Sequence, residues 1–95
     1  MSGDLLRLKK GDSVKIDWSD LAAERGDRLG NGGICYGEVV AVVKPGTIIY
    51  DSVPKGYKPP WTITKSMTCN HETYLVAVNG SMRAQWPARR RLTRI

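Results

Sequence analysis

His71 is the sole histidine of the 95-residue chain, and the reactive side chains nearest to it in sequence are Cys69 and Glu72. Cys69 and His71 sit two positions apart, so in an extended strand they project to the same side and could meet as a nucleophile and its base. A working pair of that kind needs a third group to orient the imidazole, and none is identifiable. Adding the distant Cys35 brings the set to three soft ligands, one fewer than a structural zinc site uses. No two carboxylates stand out for acid–base work. The glycines between Gly26 and Gly33 lack the Gly-Lys-Ser/Thr ending and the following helix of a phosphate-cradling loop. These absences favour a binding protein over an enzyme without deciding between them, and predict no metal or cofactor, with both thiols reduced and buried.

Charge is the next chemistry on offer. Net charge is +6. Residues 1–47 hold seven acids and seven bases, whereas residues 48–95 hold only Asp51 and Glu72 against eight bases. From Arg83 onwards there are five arginines and no acid, which predicts a strongly positive surface. Such a surface suits an acidic partner, either nucleic acid or an acidic protein. Tyr57 and Trp61 lie among Lys55, Lys58 and Lys65 and could stack on bases, while Arg83, Arg89, Arg90, Arg91 and Arg94 could meet phosphates. The plainer alternatives are a solvated basic face and a Trp61 buried in the core.

The elements that must position these residues are mostly strands. Eight Val, six Ile and six Thr, all branched at Cβ, favour pleated structure over helix. Asp12 to Trp18 alternates, with Val14, Ile16 and Trp18 on one face, and reads as a half-buried strand. A long loop follows, in which Asp20 is expected to cap one helical turn through Leu21–Glu24. Ile34 to Val43 is a nearly continuous apolar run around Gly37, as in a strand buried on both faces or bent at a glycine. Lys44-Pro45-Gly46 reads as a turn leading into a strand from Thr47 to Tyr50. The prolines between Asp51 and Pro60 imply a stiff projecting loop, after which Trp61 to Thr68 again alternates like a strand.

Asn79-Gly80, flanked by Thr73–Val78 and Ser81–Trp86, is the strongest local signal and predicts a two-residue hairpin. That register sets Ala77 opposite Met82, Leu75 opposite Ala84 and Thr73 opposite Trp86 on a core-facing side. It places Tyr74, Val76 and Val78 with Arg83 and Gln85 on the other side. Because this second face is too apolar for water alone, Tyr74, Val76, Val78 and Gln85 are the expected interface with another subunit or a ligand. Ala88 to Arg91 should make a tight turn before Leu92–Ile95 rejoins the sheet. The sum is a single all-β domain over residues 1–95, five to six strands with a long first loop and one short helical turn.

This order of parts resembles the SH3-like barrel: an opening strand with Gly11, Asp12, Val14 and Ile16, a long loop, a strand with Gly37, Val39 and Val40, a tight hairpin, a turn and a last strand. The stretch from Gly80-Ser81 through Trp86-Pro87 to Leu92-Thr93-Arg94-Ile95 resembles the tail of the plasmid-borne type II dihydrofolate reductases, which are SH3-like barrels that assemble as tetramers around a shared pore. Those enzymes carry Val-Gln-Ile-Tyr directly before the proline, where this chain has Arg83-Ala84-Gln85-Trp86. The glutamine is displaced by one, which in a strand turns it to the opposite face. Lys10-Gly11-Asp12 and Asp17 also resemble the opening of barrel-shaped toxin ribonucleases, although Cys35-Tyr36-Gly37 stands where their Arg-Pro pair would fall.

The residues thus point first to a non-catalytic binding module whose basic half contacts an acidic partner. A self-assembling or protein–protein barrel subunit, such as an accessory protein of a mobile element or bacterial complex, is the second possibility. A reductase of the dihydrofolate type, obliged to oligomerise because one small barrel has no deep pocket, is the third. No run approaches the ~18 apolar residues of a membrane span and the opening lacks the apolar stretch of a signal peptide, so a cytoplasmic protein without membrane contact is expected.

Overall fold

The computed structural model describes residues 7–25 and 31–95. Among them, β1 (Ser13–Asp17), β2 (Ile34–Val43), β3 (Thr73–Val78), β4 (Ala84–Gln85) and β5 (Leu92–Arg94) form one antiparallel sheet in the order β4-β3-β2-β1-β5. The described residues are all-β apart from the short helix α1 (Ser19–Arg25) and single 3-10 turns such as Arg89–Arg91. β4 and β5 are the two ends of the ladder, so a closed barrel is not what the hydrogen bonding produces. Most of the glycine-rich loop, residues 26–30, lies outside the described residues.

Alternation accounts for β1, where Val14 and Ile16 are fully buried between exposed or half-buried neighbours. In β2 the alternation breaks at a bulge between Val39 and Ala41. Val39 therefore packs on one face while Val40, the extra residue, packs on the other. Each face has its own core. Val39, Tyr74 and Val76 meet Leu8, Val14, Ile16 and Leu92 on the first. Val40, Val43 and Leu75 meet Ile49 and Ala84 on the second, with Val53, Ile63 and Met67 closing over them. Gly37 is needed for a close approach of backbone. A Cβ there would stand 2.4 Å from the Ala77 carbonyl oxygen, so only glycine lets β3 come this near.

The connection 44–72 departs from expectation. Pro45 and Gly46 make the predicted turn, with Gly46 at φ +81° and the Thr47 amide donating to the Lys44 carbonyl at 3.1 Å. Neither Thr47–Tyr50 nor Trp61–Thr68 is a strand, however. Their apolar residues serve as a cover for β2 and β3 instead, and Ile49 is fully buried.

The hairpin forms with a shifted register. The Ser81 amide donates to the Val78 carbonyl at 2.9 Å, closing the turn at Asn79-Gly80. Val76 then pairs with Gln85 and Ala77 with Ala84, two residues away from the predicted pairing. The cause is a competing partner: Lys58 donates to the Met82 carbonyl at 2.8 Å and accepts from the Ala84 amide at 2.9 Å, drawing residues 82–84 towards the proline loop. A shift of two preserves which side each residue faces. Leu75 and Ala84 accordingly point inward as predicted, and Trp86 is half-buried against them, but Met82 leaves the ladder and is 63% exposed.

Candidate functional site

An open cleft of about 580 Å³ lies between the end of β1, the Pro60–Thr62 segment and the Ser81–Trp86 stretch. All three tryptophans of the chain line it. Each arrives from a different element: Trp18 follows β1, Trp61 ends the proline loop and Trp86 follows β4. Two consecutive prolines, Pro59 and Pro60, hold the backbone ahead of Trp61 in a fixed φ and leave no amide to pair elsewhere. The Trp86 indole nitrogen donates to the Thr62 hydroxyl at 2.8 Å, which fixes that ring. Trp61 is 82% exposed, so it is not the core residue that its type suggests.

Arg83 organises the cleft. Its guanidinium carbon lies 3.4 Å from the Trp61 ring centroid, and one Nη donates to the Pro59 carbonyl at 2.7 Å. A cation over an indole face at an exposed site contributes roughly 0.5–1 kcal/mol. No carboxylate pairs with Arg83 among the described residues. Gln85 and Ser81 add polar groups to the same cleft, and no acid lines it among the described residues.

The other predicted binding residues divide. Lys55, Tyr57, Lys58 and Lys65 are exposed, and only Lys58 is tied to the Arg83 segment, through the backbone pairing of Lys58 with Arg83. Arg90 and Arg94 are exposed. Arg89 is half-buried and donates to the Leu92 carbonyl at 2.8 Å. Arg91 is only 8% exposed, which removes it from the surface. It stands 4.8 Å from the Trp18 ring centroid, donates to the Asp17 carbonyl at 2.9 Å and grips Asp20 through both Nη atoms at 2.6 and 3.0 Å. The predicted interface face needs the same correction. Tyr74 and Val76 are 5% and 0% exposed because β1 and β5 wrap over them, Val78 is half-buried, and Gln85 alone of the four is open to solvent.

Asp20 thus serves Arg91, and the Asp17 carboxylate caps the helix in its place by accepting the Ser19 amide at 2.8 Å. Hydrogen bonds from Arg91 hold the Asp20 carboxyl at about 2, below its usual 3.8. A carboxylate with a depressed folded pKa adds stability above its unfolded value, and that stability is lost as pH falls through the folded value. Asp20→Asn should therefore be less stable than the parent near neutral pH, and the gap measured by urea unfolding should close between about pH 4 and pH 2. A gap that stays constant down to about pH 2 would show that the ion pair is not its source.

Cys69 and His71 line a smaller cleft of about 330 Å³ together with Glu72, Tyr74 and Arg89. Glu72 accepts from Arg7 and from the Tyr74 hydroxyl, the latter at 2.5 Å, and both hold its carboxyl below the usual range. Burial, and secondarily that bond, raises the Tyr74 phenol. His71 Nδ1 is 3.1 Å from the Glu72 carbonyl oxygen, so the ring is engaged by backbone. No three His, Cys, Asp or Glu side chains gather as a metal would require among the described residues. No helix among them is long and apolar enough to cross a membrane.

Trp18, Thr62, Ser81 and Trp86 are the cleft residues that sequence reasoning passed over as binding groups. The signal for Trp18 and Trp86 is compositional, three tryptophans with no phenylalanine in a chain this short, and Thr62 and Ser81 carry none. Compared with protein families, curated proteins and solved structures, the chain matches none of them.

Proposed function

We propose that this protein is a non-catalytic binding module of SH3-like fold, whose basic second half takes nucleic acid as its acidic partner. The fold part draws support from the strand order, in which the first and last strands pair and a 3-10 turn at Arg89–Arg91 precedes β5. The single observation behind the function is the cleft that joins exposed Trp61 to Arg83, a stacking ring and a cation without a carboxylate partner among the described residues. Base stacking on aromatic rings together with arginine contacts is a recurrent means of holding nucleic acid without reading its sequence. Exposed Lys58 pairs through its backbone with the Arg83 segment, and exposed Lys55, Lys65, Arg90 and Arg94 add to the positive charge of the surface.

Salt titration of a labelled oligonucleotide tests this reading. If three phosphates are neutralised on a single strand, the slope of log affinity against log salt is about −2, and raising salt from ~50 to ~200 mM weakens binding about 20-fold. No binding at low salt, or binding indifferent to salt, refutes it. One observation favours a second reading: Arg83, Ala84, Gln85 and Trp86, which stand where the type II dihydrofolate reductases carry their Val-Gln-Ile-Tyr run, all line the cleft. Saturable NADPH binding in the same assay, with no oligonucleotide binding, would favour that reading instead.

A further inference from the structure

We infer that the cleft holds an unpaired nucleobase stacked on Trp61, so that the protein selects single strands over duplex. The inference rests on the proposed nucleic-acid function and sharpens it. Trp61 is 82% exposed although Arg83 occupies one face of its ring, which leaves the opposite face and the edges to solvent. A large aromatic in that state is a platform already built, since its backbone is set by Pro59 and Pro60 and its cation by the Arg83–Pro59 bond. Ordering costs that oppose binding are correspondingly small.

Two further features select the ligand. The cleft, at about 580 Å³, is in the roughly 300–1,000 Å³ range of ligand pockets, and duplex bases, already stacked on one another, cannot enter it. Arg83 lacks a carboxylate partner among the described residues, so an adjacent phosphate meets an uncompensated charge there. Gln85 offers hydrogen bonds to a base edge, whereas the Ser81 hydroxyl is engaged by the Arg83 backbone, and the cleft carries no set of paired donors and acceptors that would fix one base. Little sequence preference follows.

The test compares a short labelled oligothymidylate, a duplex of equal length and heparin at low salt, reading both anisotropy and tryptophan fluorescence. Expected are at least tenfold tighter binding of the single strand than of duplex or heparin, and quenching of tryptophan emission on binding. Trp61→Ala should weaken single-strand binding between about 5- and 150-fold, the equivalent of ~1–3 kcal/mol per stacked base, and Trp61→Tyr should recover much of it. The side chain is exposed, so both variants should keep the parent far-ultraviolet circular dichroism. Equal affinity for single strand, duplex and heparin, with Trp61→Ala binding like the parent, would overturn the stacked base while leaving salt-sensitive nucleic-acid binding intact. Failure of every polyanion to bind would overturn both.

Discussion

Leu75→Ala should lower the free energy of unfolding by about 2–5 kcal/mol, while Met82→Ala should change it by less than ~0.5 kcal/mol. Local pattern treats the two residues alike, as apolar positions on the inward side of one hairpin. Their surroundings differ. Leu75 is fully buried among Val40, Val43, Ile49 and Ala84, and the segments covering it come from distant parts of the chain. Removing its branched end leaves a cavity that two strands and a proline-braced loop cannot collapse into. Met82 left the ladder when Lys58 captured its carbonyl, and its side chain is 63% exposed. Urea unfolding of the two variants decides the matter, and equal losses would mean that the hairpin does not carry the shifted register.

Gly37→Ala is the second large effect. Gly37 is buried in mid-β2 opposite Val78, and its added methyl would meet backbone: the Ala77 carbonyl oxygen at 2.4 Å and the carbonyl carbon at 3.0 Å. A side chain could swing aside, but a strand carbonyl cannot move without loosening the β2–β3 ladder. Overpacking of a core site typically costs ~1–3 kcal/mol, occasionally more, and an obstruction made of backbone puts this site at the upper end. Substitution here should also disturb the hairpin that carries Arg83 and Gln85. A drop in the unfolding midpoint, together with loss of tryptophan-detected ligand binding, is the expected pair of results; unchanged stability would mean that β3 stands further off.

Much of the fold was legible because periodicity acts locally. The alternation in Ser13–Asp17, the apolar run in Ile34–Val43 and the Asn79-Gly80 turn each correspond to an element close to the expected bounds. The connection 44–72 was misread because alternation does not distinguish a strand from a segment that lays every other side chain on a neighbouring sheet. Ile63 and Met67 alternate in sequence and are half-buried in the core without pairing as a strand. The hairpin register depended on Lys58, and no property of residues 73–86 announces a competitor from the proline loop.

The candidate site was legible only in fragments. Arg83, Trp61 and Gln85 were each picked out, yet for separate reasons, and their convergence needed the tertiary fold. The arginine cluster at the end misled for the opposite reason: three successive arginines look solvated, but Asp20 and Trp18 remove Arg91 from solvent. Composition alone overstates the exposed charge of this surface, because Arg91 is buried and Arg89 half-buried.

The pairing of β1 with β5 has a temporal consequence. Val14 and Ile16 lie opposite Arg94 and Leu92, so while the chain is being synthesised the first strand has no second neighbour until residues 92–94 have left the ribosome. Closing so long a loop is entropically costly, and the Leu8–Val14–Ile16 surface must wait, half-covered, for its lid. During that interval the nascent molecule exposes an apolar strand edge to its neighbours, so translation speed and chaperone access should matter more for its yield than the length of the chain suggests.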